Sequence, residues 1–172
     1  MKMEVLIDEG TIEKRLDEIA DQINKKYEGQ EVLVVAILKG SFFCLTELVK
    51  RLDKVDVMVE FIQVSSYGDG TVSSGNVQIK KDIGCSIEGR KVILVEDIID
   101  TGITLSKLLP MLRSRNPESL ELFSLLSKPS RREAQVDVDY LGFEVEDKFV
   151  VGFGMDAAEH YRHLPYIGYV VD

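Results

Sequence analysis

Lys91-Val92-Ile93-Leu94-Val95-Glu96-Asp97-Ile98-Ile99-Asp100-Thr101-Gly102-Ile103-Thr104-Leu105 is the stretch on which the fold is decided. Val92 to Val95 is a short apolar run rich in β-branched residues, the pattern of a strand buried on both faces of a parallel sheet. Acids, a glycine and threonines follow at once, so the chain leaves a sheet here and enters a helix. At such a junction the N–H groups of the first helical turn, the helix dipole and the hydroxyls of Thr101 and Thr104 can hold a phosphate, and Gly102 permits the tight turn. Carboxylates repel a phosphate, which leaves Glu96, Asp97 and Asp100 other work: binding hydroxyls, holding Mg²⁺ or moving a proton. Acids at the carboxyl edge of a parallel sheet also occur as a solvated rim or as helix caps.

Upstream, Ile12, Leu16, Ile19, Ile23 and Tyr27 form one stripe of an amphipathic helix, with Thr11 as its N-cap and Gly29 as its stop. Val32 to Leu38 reads as a buried strand ending in Lys39-Gly40-Ser41 before a helix over Phe42 to Leu52. A Lys-Gly-Ser turn feeding a helix is a second place for an anion, although many such turns carry Gly for geometry only. Val55 to Val64 is the next strand. The Gly- and Ser-rich run from Ser65 to Gly75, with Tyr67 as its aromatic, is expected to be a flexible loop, either a slack connection or a lid. Val77 to Ile83 then pairs back as a strand.

Downstream, Leu105, Leu108, Leu109 and Leu112 mark the inner face of a helix that Pro110 should kink or shorten, at about 3 kcal/mol for a lost interior bond. Leu120 to Leu126 is a further buried strand leading to Lys128, and Ser130 to Glu133 reads as a solvated loop. Short strand-like pieces flank the acidic run Glu144 to Asp147, and Tyr166 to Val171 makes a last strand. Buried strands alternating with helices imply an α/β fold, a mainly parallel central sheet flanked by helices that binds ligands at the carboxyl ends of its strands. Lys39, Glu96 to Thr104, Lys128 and Asp156 each follow an apolar run, which points to one shared site. A receiver-type signalling domain shares the strand-end acids and lysine, but needs neither the Thr-Gly-Ile-Thr turn nor the long Gly/Ser loop.

The 172 residues suffice for one sizeable core, so a single domain over 1–172 is expected. A net charge of −9 argues against nucleic acid or anionic membrane as a partner. Cys44 and Cys85 lie far apart in no metal-binding spacing and read as buried small hydrophobes in a reducing cytoplasm. No apolar run approaches the ~20 residues that span a bilayer, and the first residues lack the hydrophobic stretch of a signal peptide. A cytoplasmic protein is expected.

Val95-Glu96-Asp97-Ile98-Ile99-Asp100-Thr101-Gly102-Ile103-Thr104 resembles the phosphoribosyl-diphosphate motif of the type I phosphoribosyltransferases, in particular the hypoxanthine-guanine phosphoribosyltransferases. The resemblance extends through Leu38-Lys39-Gly40, Ser66-Tyr67, Lys128, Asp147 to Gly152, Asp156 and Arg162. It implies that family's fold, with a small hood region and a flexible loop. The implied reaction belongs to purine salvage: transfer of the 5-phosphoribosyl group from phosphoribosyl diphosphate to N9 of a 6-oxopurine, giving IMP or GMP and pyrophosphate. By the same resemblance, Asp100, Thr101, Gly102, Ile103 and Thr104 hold the 5-phosphate, and Asp100 is also the acid/base at N7 of the purine. Glu96 and Asp97 take the ribose hydroxyls and their Mg²⁺, and Asp156 ligates a second Mg²⁺. Lys39 and Gly40 form the pyrophosphate turn with Arg162, while Ser66 and Tyr67 belong to the substrate-covering loop. Lys128 donates to O6, Phe149 stacks on the ring and the Val150 main chain reads the base edge. The family also implies a homodimer or homotetramer. Ile103 departs from relatives that carry Lys or another polar residue there; a position working through its backbone N–H tolerates the change. A regulator that senses the same ligand while binding RNA or DNA is the rival reading, and the acidic charge counts against it.

Overall fold

Val92, Ile93, Leu94 and Val95 are buried, and the strand they form, β5 (Lys91–Ile99), lies between β2 (Glu31–Ile37) and β6 (Ser119–Ser127), parallel to both. The computed structural model describes residues 2–66 and 77–171. Outside this central trio, β3 (Asp56–Ser66) pairs parallel with β2, β7 (Tyr140–Glu144) pairs parallel with β6, and β4 (Val77–Lys81) closes one edge antiparallel to β3. The resulting 6-stranded sheet runs β4-β3-β2-β5-β6-β7. This is the mainly parallel α/β architecture that the buried, unalternating strands imply.

The period-2 geometry of the strands sends Val34, Ala36, Ile93 and Val95 to one face, and Leu33, Val35, Val92 and Leu94 to the other. The first face is covered by α1 (Glu9–Tyr27) and α2 (Phe42–Val49), the second by α3 (Ile103–Arg113). Ile12, Leu16, Ile19 and Ile23 are fully buried, as their spacing predicts. The N-cap of α1 is Asp8 rather than Thr11: Asp8 Oδ1 accepts from the Thr11 N–H at 2.8 Å, and a carboxylate at this end also complements the helix dipole. Gly29, at φ 74°, follows the helix in the left-handed conformation that ends it. Cys44 is buried, whereas Cys85 is only half-buried, contrary to expectation.

Pro110 lies inside α3, which continues to Arg113. The four leucines of its inner face are buried while Pro110 itself is exposed, so the ring intrudes on the solvent side and not on the core.

A second, 3-stranded antiparallel sheet of β1 (Lys2–Ile7), β9 (Ile167–Val171) and β8 (Val150–Val151) packs its Val150 and Ile167 into the same core as α1 and α2. It carries the segment between β8 and β9 over the carboxyl ends of the main sheet. No helix among the described residues is long and apolar enough to cross a membrane.

Candidate active site

At the carboxyl end of β5 a cleft of about 270 Å³ is lined by Ile37, Leu38, Glu96, Asp100, Thr101, Gly102 and Thr104, among others. Gly102 adopts φ 81° and is the residue before α3; a Cβ there would lie 2.6 Å from the Ala134 carbonyl oxygen. Only glycine makes this turn without both strain and overlap. The Thr101 hydroxyl accepts from the Ile103 N–H at 3.3 Å, and the first turn of α3 thus presents its positive dipole end to the cleft. Glu96 and Asp97 do not follow the strand, as the run ending at Val95 suggests, but lie within it, because β5 keeps its pairing with β6 as far as Ile99.

The paired acids are crowded. Glu96 Oε1 accepts from the Asp97 N–H at 3.0 Å, and Asp97 Oδ1 from the Ile98 N–H at 2.7 Å. Burial, then the neighbouring Asp97 carboxylate, pushes the Glu96 carboxyl well above its ordinary range. Asp97 Oδ2 lies against Gly40, where any side chain would overlap it, and the Gly40 carbonyl in turn lies where a side chain at Gly154 would be. These two glycines therefore let three segments meet: the Lys39-Gly40 turn, which follows the cis Leu38–Lys39 peptide bond, the acids of β5, and the loop beyond β8. In that loop Arg162 donates to the Gly154 carbonyl at 2.8 Å and lies 3.5 Å from Asp156. Glu159 accepts from both Lys39, at 3.1 Å, and Arg162, at 3.0 Å; those cations hold its carboxyl below the usual range.

A second chain of charges starts at Asp100, whose Oδ1 accepts from Arg131 Nε at 3.0 Å. Arg131 continues to Asp147 at 3.7 Å, and Asp147 lies 3.6 Å from Lys128 Nζ. Lys128 is 7% exposed, far from the solvated lysine that an isolated strand-end Lys suggests, and its N–H donates to the Ile99 carbonyl at 2.9 Å. Phe149 is 61% exposed beside buried Val150, so its ring has an open face. Ser130, Arg131 and Glu133 are exposed, as expected of a solvated run, but Pro129–Arg131 form a 3₁₀ turn, and half-buried Arg132 donates to the Asp100 carbonyl at 3.2 Å and to Ser127 Oγ at 2.6 Å. Arg131, Arg132, Asp147 and Glu159 were missed as site residues. The available signal was an Arg-Arg pair one turn past a strand-end Lys-Pro, where Pro favours helical geometry.

Among the described residues no three His, Cys, Asp or Glu side chains converge as a ready metal cage, so Glu96, Asp97 and Asp156 do not share one centre. The crowded Glu96–Asp97 pair, with Asp97 Oδ2 turned to the Gly40 turn, fits a hard cation that takes one or two carboxylates and fills its shell with water and substrate oxygens. Ser65 and Ser66, expected to open the flexible loop, are instead the last residues of β3, whereas Tyr67 and the rest of that loop lie outside the described residues.

Residues 5–158 match the phosphoribosyl transferase domain family. The chain is 46% identical to the hypoxanthine-guanine phosphoribosyltransferase of Bacillus subtilis over 164 residues, 95% of this chain and 91% of that protein. It is 48% identical over 164 residues to the bifunctional protein TilS/HprT of Listeria monocytogenes, where 95% of this chain spans only 25% of the relative's length. A crystal structure of a hypoxanthine phosphoribosyltransferase from Staphylococcus aureus superposes with a TM-score of 0.93 at 45% identity, covering 98% of this chain and 91% of that one.

Proposed function

The chain belongs to the phosphoribosyl transferase domain family, and from that premise we propose that it is a purine-salvage transferase. It moves the 5-phosphoribosyl group from phosphoribosyl diphosphate to N9 of hypoxanthine, and of guanine, giving IMP or GMP and pyrophosphate. The observation that supports this most is the packing of Asp97 on Gly40 and of Gly40 on Gly154, which unites cations and acids from three segments at one end of the sheet.

As the bond from C1 to the diphosphate lengthens, positive charge builds on the ribose and negative charge on the leaving group. Lys39 and Arg162 face the leaving group, and the Asp100 to Thr104 turn anchors the 5-phosphate through backbone N–H groups and hydroxyls. Glu96 and Asp97 accept from the ribose hydroxyls and would hold one Mg²⁺, with Asp156 the ligand of a second. When bound, Mg²⁺ supplies charge neutralisation at the diphosphate oxygens. Asp100 takes the proton at N7 as N9 attacks C1, worth roughly 10²–10⁴-fold, and Arg131 fixes its carboxylate in place. Lys128 donates to O6; an ammonium has nothing to accept the amino group of adenine. Phe149 stacks on the purine and the Val150 main chain reads its edge.

The reading extends to residues 1–172 forming one cytoplasmic domain that acts on small molecules, with no nucleic-acid or membrane partner, as the −9 charge favours. A homodimer or homotetramer is proposed from family membership alone. The test is an initial-rate assay with phosphoribosyl diphosphate and Mg²⁺: hypoxanthine should yield IMP and pyrophosphate one for one, and adenine no product. A protein that turned over adenine and not hypoxanthine would refute the assignment.

A further inference from the structure

Glu159 has no task in the mechanism above, yet its carboxylate bridges the two cations given to the diphosphate: Oε2 lies 3.1 Å from Lys39 Nζ and Oε1 3.0 Å from Arg162 Nη2. Its backbone is held in an unusual way. Ala157 and His160 exchange both main-chain hydrogen bonds at 3.0 Å, so Ala158 and Glu159 are the central residues of a two-residue hairpin turn, at φ 50° and φ 70°. Both central positions are left-handed, a geometry that Asn-Gly adopts readily and that Ala and Glu adopt under strain. The Glu159 N–H is further fixed by Asp156 Oδ2 at 2.8 Å. A strained turn thus holds one anionic side chain against the cations of the site.

We propose that Glu159 is an internal counter-anion that occupies the diphosphate position in the ligand-free protein and is expelled when the diphosphate arrives. This rests on the assignment of Lys39 and Arg162 to the diphosphate. Binding must break both ion pairs, and departure of pyrophosphate lets them re-form, so Glu159 weakens the grip on phosphoribosyl diphosphate and on the leaving product alike. Lys39 and Glu159 are exposed, and exposed ion pairs are individually weak, so the effect is a moderate one of roughly threefold to tenfold. Its value to the enzyme is release: a site built to hold a diphosphate tightly in the transition state must still let it go.

The experiment measures Mg²⁺-pyrophosphate binding by calorimetry, together with initial rates, for the wild type, Glu159→Gln and Glu159→Gly. Gln removes the charge; Gly removes it and relaxes the left-handed turn. Both variants should bind pyrophosphate roughly threefold to tenfold more tightly and show a KM for phosphoribosyl diphosphate lowered in step, with the KM for hypoxanthine unchanged. A merely structural residue would not lower one KM and spare the other. Unchanged or weaker pyrophosphate binding in both variants, each with a wild-type melting curve, overturns the proposal. Lys39→Gln separates the two failures: if it weakens pyrophosphate binding and the Glu159 variants do nothing, the counter-anion idea alone falls. If Lys39→Gln also leaves binding untouched, the diphosphate assignment falls with it.

Discussion

The carboxylate of Asp97 packs directly on Gly40, with its Cγ 2.8 Å from where a Cβ on Gly40 would be. The turn after β2 and the neighbouring parallel strand β5 are therefore locked in register by the absence of one side chain. Gly40→Ala must push Asp97 aside or open the turn. Because reacting groups misplaced by about 1 Å can cost roughly 10²-fold, kcat/KM for phosphoribosyl diphosphate should fall at least tenfold in this variant. Circular dichroism should stay native, since the change lies at a sheet edge and not in the core. Normal kinetics in a folded Gly40→Ala protein would show that the contact does not matter to the site.

Asp100 accepts from Arg131 and lines the cleft. Asp100→Asn keeps the shape and removes the base proposed for N7, so kcat should drop roughly 10²-fold or more with little change in the KM for phosphoribosyl diphosphate. Initial rates in both directions of the reaction check this, and unchanged turnover would remove Asp100 from the chemistry.

Lys128 is buried against half-exposed Asp147. A hydrogen bond from a charged donor is worth about 1.5–3 kcal/mol, so Lys128→Met should raise the KM for hypoxanthine roughly 10- to 100-fold. The KM for phosphoribosyl diphosphate should hold. Equal losses for both substrates would mean that Lys128 supports the fold and not the base.

Away from the site, Glu121 accepts from Lys26 at 2.8 Å and from Tyr140 at 2.9 Å, and Tyr27 also donates to it. Burial works to raise the Glu121 carboxyl, but the hydrogen bonds of Lys26, Tyr27 and Tyr140 outweigh it and hold it below the ordinary value. A carboxyl depressed in the folded state stabilises above its unfolded pKa, about 4.3, and that contribution disappears as pH falls through the folded value. Burial first, and Glu121 next, raise the Tyr27 and Tyr140 hydroxyls above their ordinary pKa of about 10, so their share is lost as pH rises beyond it. Denaturation across pH should show Glu121→Gln destabilised in the neutral range and less sensitive to acid than the wild type. Parallel acid limbs for the two proteins would contradict the linkage.

The central sheet and the acidic motif were legible because their signals are local. Val92 to Val95 shows the continuous burial of a parallel strand, and Asp100 to Thr104 the chemistry of a turn into a helix. What was not legible depends on residues far apart in the chain. β1 reads as no strand because its burial pattern does not alternate and its partner, β9, lies at the other end of the chain. Arg131 and Arg132 look solvated in sequence, and only the 3₁₀ turn after Lys128 swings them onto Asp100. Glu159 looks like one more surface acid, since nothing local says that Ala158 and Glu159 will take positive φ and face Lys39.

The most direct test of the account is a crystal structure with IMP, Mg²⁺ and pyrophosphate bound. The account predicts the 5′-phosphate in the Asp100 to Thr104 turn, O6 within hydrogen-bond reach of Lys128 Nζ, and the pyrophosphate against Lys39 and Arg162 with Glu159 turned away. A nucleotide phosphate held anywhere other than that turn, or a purine beyond the reach of Lys128, would contradict it.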